Sequence, residues 1–304
     1  MTKLMCHLNS FTYISDYEDI GVEGLLVGND EISSRHCMSI DFAKMVELSK
    51  SFEVYVLMNQ LYNEQELPLV EEWLLKIKDS SIQGIVFQDL GLWTMAKSLG
   101  LTQKMMYGPE TLNTNHLTLN DLHEIGIDSA FLAREISKND IIQILENSTM
   151  PVMVQVHGVQ YMGQSRRPLI KNFNASIEGN LNNGPYVLKV KDSDIEAYIY
   201  EDRYGCHVQT KDEICALELL SSFKKAEWLF VETKFMDEYR ALEMANLYHD
   251  AVVALNNDTF LKVIHEIRPL MARLMNGKMN TGFMEDGTVY RLEDVREKDN
   301  EKRN

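Results

Sequence analysis

The side chains best able to do chemistry gather in and around the stretch from Pro151 to Ile170, PVMVQVHGVQYMGQSRRPLI. His157 ends the apolar run Val152, Met153, Val154 and Val156. Its imidazole titrates nearest neutral pH, as a general acid or base requires. The loop beyond Gly158 carries Arg166 and Arg167, whose planar forks suit a carboxylate or a phosphate. Other candidates stand where other apolar runs stop: Asn59, Asp89, Arg134 with Glu135, and Glu232 with Lys234. Of these, His157, Arg134, Glu135 and Glu232 are the candidates for catalysis; Arg166, Arg167, Asn59, Asp89 and Lys234 are the candidates for ligand binding. All but Asn59 also have a purely structural reading. His157 could close a strand end, Asp89 could cap the helix after it, Arg134–Glu135 could form a rim salt bridge, and Glu232–Lys234 a buried ion pair. Arg166 and Arg167 could simply be solvated.

Positioning these groups falls to a run of alternating strands and helices. Strand-like segments cover Lys3–Leu8, Gly24–Gly28, Phe52–Asn59, Gly84–Asp89, Lys104–Gly108, Ser129–Arg134, Val152–His157 and Ala226–Thr233. Helical periodicity lies between them, at 41–50 behind an Asp41 cap, 64–79, 118–125 before Gly126, and 137–146 behind Ser137. Short connections between such units predict a parallel, right-handed α/β architecture. Its expected form is a TIM-like (β/α)8 barrel, which takes about 250 residues of the 304. Residues 159–185 read as a polar loop with a turn at 180–185. Tyr186–Lys191, Glu196–Tyr200 and Cys206–Thr210 alternate with a period of two, an antiparallel β-meander inserted after strand seven. Residues 1–158 and 226–275 are thus expected to form the barrel, 159–225 the insertion, and 276–304 a partly disordered C-terminal extension. Helices are expected at 236–255 and at 258–275, the latter behind an Asp258 cap. Barrel enzymes gather their chemistry at the C-terminal ends of the strands, where the candidates lie.

Composition narrows the function. Net charge is −16, from 30 basic and 46 acidic residues, which argues against gripping nucleic acid by bulk electrostatics without a local patch or a basic partner. The N-terminus turns polar at once and no run reaches 18 apolar residues, so a cytoplasmic protein without a membrane span is expected. Four dispersed cysteines, Cys6, Cys37, Cys206 and Cys215, form no CxxC pair, and eight histidines lack ligand spacing, so no metal site is expected. The chain lacks a GxSxG elbow, an HExxH pair, a P-loop and a dinucleotide-binding glycine fingerprint. Tyr198, Tyr200 and Tyr204 could stack bases, though sheet packing is the commoner use of such residues.

The ordered blocks Arg35, YVLMN at 55–59, GIVFQDLG at 84–91, YGPETLNTN at 107–115, GIDSAFLAREIS at 126–137 and QVHG at 155–158 resemble the U32 family, named for collagenase-like peptidases. YEDRYGCHVQTKDEI at 200–214, VETK at 231–234 and TGF at 281–283 continue the likeness. The resemblance implies the barrel and adds Asn115 to the ligand or RNA-binding candidates. Iron–sulfur members carry cysteines after His-Gly; the matching positions here are Tyr161 and Pro168, which cannot supply thiolates, so no 4Fe–4S cluster is expected. This cysteine-free form looks like the short subunit of a pair that performs prephenate-dependent 5-hydroxylation of the tRNA wobble uridine. That likeness implies a longer U32 paralogue as partner, tRNA bound through the complex, and prephenate as the small dicarboxylate co-substrate at the barrel mouth. The alternatives are a peptidase, as the family name implies, and a non-catalytic scaffold for the paralogue.

Overall fold

The computed structural model describes residues 1–189 and 196–285. The chain runs β1 (Lys3–His7), α1 (Ile14–Ile20), β2 (Gly24–Val27), α2 (Phe42–Leu48), β3 (Glu53–Met58), α3 (Leu67–Lys78) and β4 (Gly84–Phe87). It continues through α4 (Leu90–Ser98), β5 (Lys104–Tyr107), α5 (His116–Glu124), β6 (Ser129–Phe131), α6 (Lys138–Asn147) and β7 (Val152–Gly158). Then come β8 (Tyr161–Ser165), α7 (Leu169–Ile177), β9 (Tyr186–Lys189), β10 (Glu196–Asp202), β11 (Gly205–Thr210), β12 (Ile214–Cys215) and β13 (Trp228–Val231). Helices α8 (Glu238–Asn256) and α9 (Phe260–Leu274) follow. Parallel pairing runs from β1 through β7, from β7 to β13 and back to β1, so eight strands close a TIM-like barrel.

Both faces of each barrel strand are buried, which is why the strands read as continuous apolar runs. Lumen-facing side chains stack in layers. At the N-terminal end Tyr55 and Trp228 meet edge-on, ring centroids 5.9 Å apart. Glycines make room for them: a Cβ on Gly84 would sit 2.5 Å from the Tyr55 ring, and one on Gly24 2.7 Å from Trp228. Above them lies an apolar layer that includes Met5, Leu26, Leu57, Val86, Met106, Phe131, Met153 and Phe230. The C-terminal layer is polar, with His7, Asn59, Gln155 and Glu232.

Helix starts follow the expected cap chemistry. Asp41, Asp89, Asn115, Ser137 and Asp237 each accept a backbone N–H of the following first turn. The expected Asp258 cap is not one; Thr259 occupies that position, and Asp258 instead pairs with Lys224. The insertion is the predicted antiparallel sheet, but with four strands in the order β8-β11-β10-β9. The extra strand Tyr161–Ser165 and α7 both lie where a polar loop was expected. Neither has a strong signal: β8 is a half-buried roof strand without apolar alternation, and α7 is short and largely exposed. The tail from Arg291 lies outside the described residues.

One irregularity decides where chemistry can occur. β7 pairs with β13 through Phe230↔Gln155 and then Val231↔His157, so one extra residue is inserted at Val156. Such a bulge reverses the side-chain alternation beyond it. Gly158 follows at φ +97°, where an added Cβ would stand 2.1 Å from the Glu232 carbonyl oxygen. Gly158→Ala is therefore expected to cost about 2 kcal/mol or more and to lower Tm by at least ~4 °C in a thermal melt; an unchanged Tm contradicts this account of the bulge.

Candidate functional site at the barrel mouth

The bulge turns His157 out of the barrel. Its Nδ1 faces the Tyr248 hydroxyl of α8 at 3.3 Å and its Nε2 faces Glu213 at 3.7 Å, in full burial. Burial holds its pKa below the ordinary value despite Glu213. The ring is thus neutral, and His157 is a core histidine rather than a group at the mouth. Glu213 owes its charge to His157 and to Arg240, whose Nη1 donates to it at 2.8 Å. Burial opposes that charge, but hydrogen bonds and attraction bring the carboxyl down to about 2.

The mouth itself is built around three charges. Glu110 lies in a bed of cations: Arg35 Nη2 is 3.3 Å from Oε1, and Arg134 Nη2 is 2.9 Å from Oε2. Burial pushes the Glu110 pKa up, the two guanidinium groups push it down, and the net shift is downward. Arg35 and Glu110 both sit at left-handed backbone angles, φ 60° and 66°, which non-glycine residues adopt at a cost. Arg35 also donates to Gln164 Oε1 at 2.8 Å and lies 4.8 Å from the Tyr161 ring, so it ties the inserted sheet to the barrel. Arg134 lies flat over Phe131, its Cζ 3.7 Å from the ring centre. Its Nη1 is buried and has no hydrogen-bond partner. Two guanidinium groups share one carboxylate, and one buried guanidinium donor is left without an acceptor in a residue that lines the cavity.

Tyr161 and Gln209 roof this cavity, and Asn59, Gln155, His7 and Glu232 wall it. Its open space is about 30 Å³, enough for only about one or two waters. A larger ligand requires the roof to lift.

His7 and Glu232 continue the polar layer. His7 Nδ1 lies 2.8 Å from Glu232 Oε1, which also accepts the Lys234 backbone N–H at 2.9 Å. Burial opposes charge on His7, but the Cys37 sulfur and Glu232 raise its pKa to about 10. The Cys37 backbone N–H faces Nε2 at 3.3 Å and makes that nitrogen an acceptor. Burial opposes charge on Glu232, but His7 and Lys234 hold its carboxyl below the ordinary value, so His7 and Glu232 form a buried charge-assisted pair with the Nδ1 proton directed at Oε1. Cys37 Sγ lies 3.6 Å from the same Glu232 oxygen.

Of the sequence candidates, the structure brings Asn59, Arg134 and Glu232 to the cavity. Asp89 and Asn115 are helix caps, as the structural reading of Asp89 anticipated. Half-buried Glu135 does not line the cavity. Arg166 is exposed, bonding the Leu61 carbonyl at 3.0 Å and standing 3.5 Å from Glu66; Arg167 is exposed beside it. Lys234 donates to the His36 carbonyl at 2.7 Å and lines a neighbouring open groove. Sequence reasoning gave no role to Arg35, Glu110, His7 or Cys37. His7 could have been found, since it ends the first strand just as the other candidates end theirs. Arg35 and Glu110 sit on loops whose left-handed turns leave no pattern.

Tyr161 stacks on Arg35 and Pro168 starts α7. Cys6, Cys206 and Cys215 are buried, while Cys37 is half-buried at the mouth. Among the described residues, His7, Cys37 and Glu232 alone bring three ligating atoms within 4.8 Å of one another, and they include one thiol. This donor set does not fit a 4Fe–4S cluster. No helix among the described residues is long and apolar enough to cross a membrane.

A closed α/β barrel with a polar, cation-rich cavity at the C-terminal mouth is an architecture for binding small ligands. Residues 13–292 match Peptidase family U32, and the chain belongs to that family. It is 27% identical over 295 residues to tRNA hydroxylation protein P2 of Bacillus subtilis, covering 89% of this chain and 93% of that protein. It is 20% identical over 166 residues to tRNA hydroxylation protein P1 of the same bacterium, covering 53% of this chain and 39% of that protein. Uncharacterized protease MJ0090 of Methanocaldococcus jannaschii is 20% identical over 300 residues, covering 93% and 73% of the two chains.

The Glu213 linkage has a definite sign. A carboxyl held below its ordinary 4.5 contributes stability above that pH, and the contribution is lost as pH falls toward about 2. Glu213→Gln is expected to lower the urea midpoint at pH 7, and the gap to wild type to close between pH 4.5 and 2. A gap that stays constant with pH contradicts this.

Proposed function

We propose that this chain is a subunit of a tRNA-hydroxylating enzyme and that its barrel mouth holds a small carboxylate co-substrate, with prephenate the candidate. The observation that carries this reading is the buried, unpartnered Nη1 of Arg134 beside the Arg35–Glu110 pair. The likeness to tRNA hydroxylation proteins P2 and P1 supports the reaction class. The target is the C5 position of the wobble uridine, and a longer U32 paralogue is the partner. A net charge of −16 means that the paralogue supplies most of the grip on RNA. Exposure of Arg166 and Arg167 outside the cavity supports contact with phosphate rather than with co-substrate.

The roles follow from the geometry. Arg134 and Arg35 orient a carboxylate through charge-assisted hydrogen bonds, in a site from which the roof excludes water. Glu110 holds both forks in place. The His7–Glu232 pair can take or return a proton at the edge of the same cavity.

Nucleoside analysis of tRNA tests this. Cells lacking the gene are expected to lose 5-hydroxyuridine and its derivatives, and the wild-type gene to restore them. Arg134→Gln, checked for a native melting profile, is expected to restore at least about tenfold less, as loss of one buried charged partner implies. An unchanged profile on deletion contradicts the function. Full restoration by Arg134→Gln contradicts the site and favours a scaffold role.

A further inference from the structure

Beside the closed cavity runs an open groove of about 630 Å³ between the β13–α8 loop and the inserted sheet. Tyr13, Tyr200, Phe235 and Tyr239 line it, with Lys234 and Cys37. Phe235 sits at φ 68°, a strained conformation for a bulky residue, and its ring packs 4.6 Å from Tyr198. Tyr239 is more than half exposed. Aromatic faces of this kind accept a nucleobase of any identity. Lys234 is buried, with its Nζ 4.6 Å from the centre of the Tyr200 ring, and His36 O takes one of its three protons.

Cys37 joins the two spaces. It lines the groove, while the partners of its sulfur and backbone, Glu232 and His7, line the closed cavity. The other three cysteines are buried. A half-buried thiol against a carboxylate–imidazole pair, with an ammonium alongside, has the parts of an activated nucleophile.

Resting on the tRNA-hydroxylation reading above, we propose that the groove receives an extruded uridine and that Cys37 adds reversibly to its C6. The ring's chemistry gives the reason. C6 of uracil is the electrophilic end of an enone, and addition there turns C5 into an enolate carbon, far more nucleophilic than C5 of the intact ring. In the step, the Cys37 thiol gives its proton to the Glu232–His7 pair and its sulfur bonds to C6. The C5–C6 π electrons move to make an enolate with its charge on O4, which Lys234 stabilises. Protonation of that enolate at C5 and reversal of both steps return uridine with a solvent hydrogen at C5. No oxidant enters this cycle.

The test uses the full chain with its longer paralogue and a uridine-containing anticodon stem-loop RNA in heavy water, beside the same RNA carrying 5-fluorouridine. The expected results are deuterium at uridine C5 and a denaturation-resistant adduct mapped to Cys37. Cys37→Ser is expected to lose both, at least tenfold, while keeping the wild-type melting profile. An adduct on another cysteine overturns the proposal, as does restoration of 5-hydroxyuridine in cells by Cys37→Ser. So does hydroxylation by wild type without exchange or adduct. In those cases the tRNA-hydroxylation reading stands. Failure of the wild-type gene to affect 5-hydroxyuridine removes both.

Discussion

The sharing of one carboxylate by two buried guanidinium groups is the interaction on which the rest of this structure depends. Taking three charges out of water costs several kcal/mol per ion unless each is well paired. Glu110 satisfies most of that need, through contacts of 3.3 Å to Arg35 and 2.9 Å to Arg134, but it cannot satisfy all of it. The buried Arg134 Nη1 is the remainder. Such an arrangement is weak as a stabilising device, and under the proposed function a ligand carboxylate would supply the missing acceptor. The backbone bears the same signature: Arg35 and Glu110 both adopt left-handed angles, and it is at ligand clamps that such strain tends to persist.

The barrel makes that arrangement possible by separating its duties along the axis. The Tyr55–Trp228 pair and the apolar layer above it fill the lumen, so the C-terminal layer can be polar without weakening closure. The inserted sheet then covers the polar layer. Arg35 belongs to both parts, bonded to Gln164 of the roof and to Glu110 of the floor, and any roof movement that admits a ligand must pass through it. The Tyr204 hydroxyl adds a second tie, to the Glu31 carbonyl.

Much of the fold was legible because parallel strands buried on both faces leave continuous apolar runs and because Asp41, Asp89 and Ser137 mark helix starts. The site was legible only where it coincides with a strand end, as at Asn59, Arg134 and Glu232. His157 shows the limit. Alternation along β7 points it inward with Met153 and Gln155, but one bulged residue sends it out against Tyr248. No residue type marks a bulge, so only the pairing register reveals it. Arg166 and Arg167 drew attention as adjacent cations, yet exposure separates them from the ligand space, whereas the buried pair Arg35 and Arg134 lie 99 positions apart in the chain.

The central claim is that this mouth binds a small carboxylate through Arg134. Calorimetric titration of prephenate into the purified chain tests it directly. Saturable one-to-one binding to wild type, weakened at least tenfold (~1.4 kcal/mol) in Arg134→Gln and unchanged in Arg167→Ala, is the predicted result. No binding to wild type, or equal binding to Arg134→Gln, would contradict it.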